Sequence, residues 1–208
     1  RDYNTVFIVN MVLSIVLFIV FFFSARFIAD FFGQPLLEPL TQVMGSIVII
    51  HAFAIIQRTV LIKRIDFKTQ TKASVISSVT SGIIGITMAF YGYGVWSLVG
   101  QQLSRALLNT ICLWIYSHWW PKLQFSWNSF RELFGFGWKL LVSSLIDTVW
   151  REIYQVVIGK CYAPATLGQY TRAHQFGSIF SSNLNSVILR VSYPVLSSLQ
   201  DDKERMKE

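Results

Sequence analysis

The sequence has 208 residues, 53% hydrophobic and 15% aromatic, with only 14% charged. A soluble globular domain carries about 25% charge, so the composition excludes an ordinary soluble domain and points to a membrane protein. The net charge of +7 lies between apolar runs and not on one polar face, which argues against nucleic acid as a partner.

Asn4 to Phe32 reads as a first span, and Thr5 to Phe23 holds no charge. At about 1.5 Å per residue it is longer than a hydrocarbon core of roughly 30 Å requires. Its far end, Ala25 to Phe32, is amphipathic, and Arg26 and Asp30 are spaced for an i,i+4 pair at the interface. Gly33, Gln34 and Pro35 break the helix. Leu40 to Ile62 is the second span; it contains His51 and ends in Gln57 and Arg58. A polar stretch follows, Lys63 to Lys72. Ala73 to Phe90 is the third span, where Gly82, Gly85 and many Ser and Thr signal close helix packing.

Tyr91-Gly92-Tyr93-Gly94 predicts a tight turn at interface depth. Val95 to Tyr116 is the fourth span, and Ser117 to Trp127 a short linker. Phe134 to Val157 is the fifth span and about Gly168 to Ile188 the sixth, with Pro164 between them. Asp201 to Glu208 reads as a solvated tail. The expected fold is therefore an all-α, polytopic transmembrane bundle of about six spans. Both ends then lie on one side. That side carries Arg1, the group Arg58 to Lys72, Lys122, Arg131, Lys139 and the basic tail, against Arg26 and Lys160 opposite. The positive-inside rule makes the basic side cytoplasmic. The chain begins at Arg1 and both ends lie close to apolar segments, so a piece of a longer protein is expected.

Charge at membrane depth costs about 2.5 to 3.5 kcal/mol per residue on insertion scales, so such groups turn toward protein or a watery cavity. Gln101, Arg105 and Asn109 recur every four residues in the fourth span. Asp147, Arg151 and Tyr154 share a face of the fifth, and Gln169 and Arg172 a face of the sixth. One reading is a water-filled cavity with a basic interior, suited to an anionic ligand, since the Arg fork matches phosphate. The other is internal pairing, with Asp147 and Arg151 neutralising each other. Both stay open for that pair. His51 and His174 are candidate proton carriers, although a lone His in a polar helix is more often simply hydrogen-bonded. Arg190 reads as a snorkelling anchor.

No HExxH, CxxC, P-loop or GxSxG motif occurs, which counts against an ATPase and a membrane enzyme. Cys112 and Cys161 lack metal spacing and read as packing residues. Asp201-Asp202 sits in the charged tail and reads as a solvated helix end. No metal and no cofactor is expected.

Several segments resemble polysaccharide and lipopolysaccharide flippases. They are Asp66-Phe67-Lys68, Ser81 to Ile86, Tyr91 to Val99, Leu133-Phe134-Gly135-Phe136-Gly137, Ile158-Gly159-Lys160, Leu167 to Ala173, and Tyr193 to Ser197. They resemble the polysaccharide-transporter branch of the multidrug/oligosaccharidyl-lipid/polysaccharide exporter superfamily. The resemblance implies a longer, two-lobed parent that flips lipid-diphosphate-linked oligosaccharide by alternating access. Residues 1–118 would be part of the first lobe, 119–130 a cytoplasmic linker, and 131–208 the start of the second lobe. It implies a multi-pass protein of the bacterial inner membrane, with both ends of this chain cytoplasmic. Its partners would be membrane lipid, an undecaprenyl-diphosphate-linked glycan and glycan-assembly proteins. Arg105, Arg151 and Arg172 would attract the diphosphate, Asp147 would tune Arg151, and Gln101 and Asn109 would line the path. Three alternatives belong to other substrates or classes, one of them a non-transporting membrane scaffold, against which the buried charges argue weakly. A multidrug or small-cation exporter would want acidic cavity groups, and a glycan polymerase or ligase would want large outer loops.

Overall fold

The computed structural model describes residues 2–64, 66–117, 120–121 and 126–178. It contains α1 (Asp2–Phe32), α2 (Leu37–Lys63), α3 (Phe67–Phe90), α4 (Val95–Ser117), α5 (Trp127–Cys161) and α6 (164–178). No strand occurs among the described residues. This is an all-α membrane protein. Among the described residues, three helices are long and apolar enough to cross a membrane by length and composition: Tyr3–Phe32, Leu37–Lys63 and Phe67–Phe90. The 23 residues of α4 span about 35 Å, also enough to cross, but polar side chains interrupt them. The expected sixth span lies partly outside the described residues, as do Arg190 and the charged tail.

Sequence sets the breaks. Gly33 adopts φ +64°, and Gly92 and Gly94 adopt +81° and +54°, so both expected turns use the left-handed region open to glycine. At the other end of the bundle Asp66 caps α3 by accepting from the Thr69 amide at 3.1 Å. That cap starts α3 at Phe67, six residues before the apolar run suggests.

The chain divides into two units inside α5, Arg1–Ser143 and Ser144–Glu208. In the first unit α2 is central. It packs against α1 on one side and α4 on another, while α3 packs mainly on α4. Phe7, Ile56 and Val60 fill the α1–α2 seam, and Ala54, Leu61, Ala73 and Leu113 fill the seam among α2, α3 and α4. Phe7 meets Phe53 and Trp114 edge-on, with ring centroids 6.2 and 6.5 Å apart, and Phe53 and Trp114 lie tilted at 6.4 Å. The Trp114 indole donates to the Phe53 carbonyl at 3.0 Å, and the Thr110 hydroxyl to the Ile50 carbonyl at 3.3 Å. These bonds hold α4 parallel to α2.

Basic side chains tie one end of the bundle together. Lys63 lies over the Tyr3 ring at 5.6 Å and Lys72 over Tyr116 at 5.5 Å. The ends of α1, α2, α3 and α4 that carry these groups therefore share a face, as alternating spans require.

Candidate functional site

The site grows from a small-residue stripe. Ala73, Ser77, Ser81 and Gly85 recur every four residues on α3, and all are buried. Small side chains let α3 approach α4 closely. A Cβ on Gly85 would lie 2.9 Å from the Gln101 Cβ, so only glycine fits there. Gly82, also singled out in the sequence, has nothing within 4 Å of such a Cβ. Because α3 leans on α4 and touches α2 little, a groove opens between α2 and α3, with α4 as its floor.

Two adjoining cavities make up this groove. One, of about 280 Å³, is lined by Ile47, His51 and Arg58 of α2, Ser74 and Ser77 of α3, and Gln102, Arg105, Ala106 and Asn109 of α4. The other, of about 350 Å³, is lined by Arg58, Gln70, Thr71, Ser74, Val75, Asn109 and Leu113. Arg58, Ser74 and Asn109 belong to both. No carboxylate lines either cavity among the described residues. Two guanidiniums without a carboxylate favour an anion, and the flanking amides and hydroxyls supply further hydrogen bonds. A third cavity, of about 510 Å³, runs along the start of α5, lined by Trp127, Phe130, Phe134 and Trp138 with Arg131. Its rings suit apolar matter more than a charged ligand.

In the second unit Arg151 and Asp147 form an ion pair, and Gln155 donates to Glu152. The paired side chains are 66% and 59% exposed. Tyr154 is exposed on the same helix, and Arg172 is exposed on α6. Tyr170 and His174 stack with ring centroids 6.0 Å apart.

The family described as polysaccharide biosynthesis protein matches residues 1–208. The chain belongs to this family. Among its relatives is the succinoglycan biosynthesis transport protein ExoT of Rhizobium meliloti, 24% identical over 99% of this chain and 42% of the relative. The teichuronic acid biosynthesis protein TuaB of Bacillus subtilis is 24% identical over 70% of this chain and 31% of the relative. The lipopolysaccharide biosynthesis protein WzxC of Escherichia coli is 28% identical over 42% of this chain and 18% of the relative. The chain thus spans less than half the length of these relatives. None of the three bears an enzyme's name. No solved structure matches the chain.

The structure brings two of the sequence-derived candidates, Arg105 and Asn109, to one groove. Gln101 points instead at α3, against Gly85. A helix turns 3.6 residues per turn, so a four-residue repeat drifts about 40° per step and spreads the three residues over a wide arc. Gln102 lines the groove in its place. Asp147 and Arg151 pair with each other, and Arg172 lies on α6. Sequence reasoning missed Arg58, which it grouped with the cytoplasmic basic stretch, and Gln70. A signal was present: Ile47, His51 and Arg58 stand four and seven residues apart, on one face of α2.

Proposed function

We propose that the protein containing this chain moves lipid-diphosphate-linked oligosaccharide across the bacterial inner membrane by alternating access, for polysaccharide or lipopolysaccharide assembly. One observation carries this reading: Arg58 and Arg105 line a single polar groove that, among the described residues, no carboxylate shares. A diphosphate is a compact anion that bidentate guanidiniums hold well. The family and the transport named for ExoT support the same direction.

In this proposal, residues 1–118 belong to a first lobe, 119–130 to a cytoplasmic linker, and 131–208 to the start of a second lobe. Arg105, Arg58 and Asn109 contact the diphosphate; Arg151, oriented by Asp147, and Arg172 are further candidate contacts carried by the sequence reading. The end of the bundle carrying Lys63, Arg64, Lys68 and Lys72 faces the cytoplasm. An undecaprenyl-diphosphate-linked glycan is the cargo, and glycan-assembly proteins are its source and destination. A cation exporter is the weaker reading, because a groove with two arginines and, among the described residues, no carboxylate repels its cargo.

The test replaces Arg105 with Ala in the full-length protein and measures glycan export alongside membrane abundance. Export should fall while abundance holds. Unchanged export removes Arg105 from the path.

A further inference from the structure

Among the described residues, three buried side-chain atoms have no hydrogen-bond partner: both polar atoms of Gln57, and Nε2 of Gln70. Gln57 lies in α2 and lines neither cavity. Gln70 lines the second cavity, beside Arg58, Thr71 and Asn109. A buried amide donor with no acceptor is unfavourable, so its presence beside an open cavity asks what fills the cavity.

The two cavities differ in chemistry. The first holds Arg58, Arg105 and His51. The second keeps Arg58 as its one charged group and adds Gln70 and Thr71 to the shared Asn109. A ligand with its anionic end in the first cavity can lay a neutral, polar end in the second without leaving the groove. We infer that the second cavity is a subsite for the sugar unit attached to the anionic group, and that Gln70 discriminates among sugars there. This inference rests on the anionic reading of the groove given above.

The chemistry fits hydroxyls. An amide offers a donor and an acceptor in one plane, and a sugar hydroxyl needs both. The terminal torsion of Gln is broad, so a modest rotation turns the unpaired N–H toward the groove. Thr71 and Asn109 offer a hydroxyl and a second amide beside it. A pocket built to hydrogen-bond a hydroxyl rejects an analogue that lacks it or turns it away, because its own polar groups are then left unpaired.

The test uses the full-length protein in lipid nanodiscs and calorimetry. The probes are inorganic pyrophosphate, inorganic phosphate, glucose 1-phosphate, galactose 1-phosphate and N-acetylglucosamine 1-phosphate. In the wild type the sugar phosphates should differ from one another by about tenfold, the worth of one hydrogen bond. Gln70→Leu keeps the volume and removes the amide. It should collapse those differences to about twofold while leaving inorganic phosphate and pyrophosphate binding unchanged. Thr71→Val should narrow them in the same sense. The subsite is overturned if wild-type protein binds all sugar phosphates alike. It is also overturned if Gln70→Leu leaves the differences at about tenfold, or weakens inorganic phosphate in step with the sugars. Failure of pyrophosphate to bind the wild type is a separate result: it removes the anionic groove, and the subsite with it.

Discussion

The Arg64 guanidinium donates to the Ser117 carbonyl at 3.2 Å, across 53 residues of sequence. Arg64 caps the end of α2 and Ser117 ends α4, so one side chain joins the two helices that form a wall and the floor of the groove. The acceptor belongs to the last turn of α4, where carbonyls lack intrahelical partners and the helix dipole favours a cation. Arg64 is exposed, which limits the bond's worth. Arg64→Ala should cost about 1 kcal/mol, read as a fall of a few degrees in thermal midpoint in detergent. A midpoint equal to the wild type would mean that the bond adds nothing to the packing of α2 on α4.

Asp66 makes the start of α3 sensitive to acid. The Thr69 hydrogen bonds, its side chain first and then its backbone, hold the carboxyl below the usual carboxylate range, with Lys68 and Arg64 adding to the effect. A depressed folded-state value means the ionised cap stabilises above the ordinary carboxylate range. That contribution is lost as pH falls through the folded-state value. Wild type should therefore exceed Asp66→Ala in thermal midpoint at neutral pH, and the gap should close as pH is lowered through that window. A gap that stays constant down to pH 3 would remove Asp66 as the titrating cap.

Gly82 and Gly85 lie three residues apart and should respond in opposite directions to the same change. A Cβ at Gly85 meets Gln101 at 2.9 Å, closer than carbon atoms pack, so Gly85→Ala forces α3 away from α4 at about 1 to 3 kcal/mol. A Cβ at Gly82 meets nothing within 4 Å, so Gly82→Ala should gain about 0.5 to 1 kcal/mol from helix propensity. Membrane abundance and thermal midpoint of the two variants test this directly. Equal behaviour would mean that α3 and α4 pack through another face.

The long apolar runs made the first four helices and their turns legible, because length and glycine placement are one-dimensional signals. Helix faces were harder to read. Gln101, Arg105 and Asn109 look equivalent in sequence, yet Gly85 lets α3 occupy the Gln101 side and leaves the Arg105 side open. Nothing near Gln101 in the chain reveals that, since the decisive neighbour is sixteen positions away on another helix. Arg58 was hidden for a related reason. It stands next to a run of basic residues that do anchor the bundle end, as Lys63 and Arg64 do, while its own direction is set by one turn of α2.

Arg58 is therefore the sharpest test of the groove. It lines both cavities, whereas Arg105 lines one, so in the proposed reading it contacts both the anion and the unit attached to it. Arg58→Gln keeps length and polarity but removes the charge and the bidentate fork. It should weaken pyrophosphate binding by about tenfold or more and lower glycan export at least as much as Arg105→Gln, at unchanged abundance. Arg58→Lys should recover part of the binding, because a point charge replaces the charge but not the fork. If Arg58→Gln exports normally while Arg105→Gln does not, the anion sits away from α2, against α4 alone. The second cavity then loses its one charged contact with the ligand.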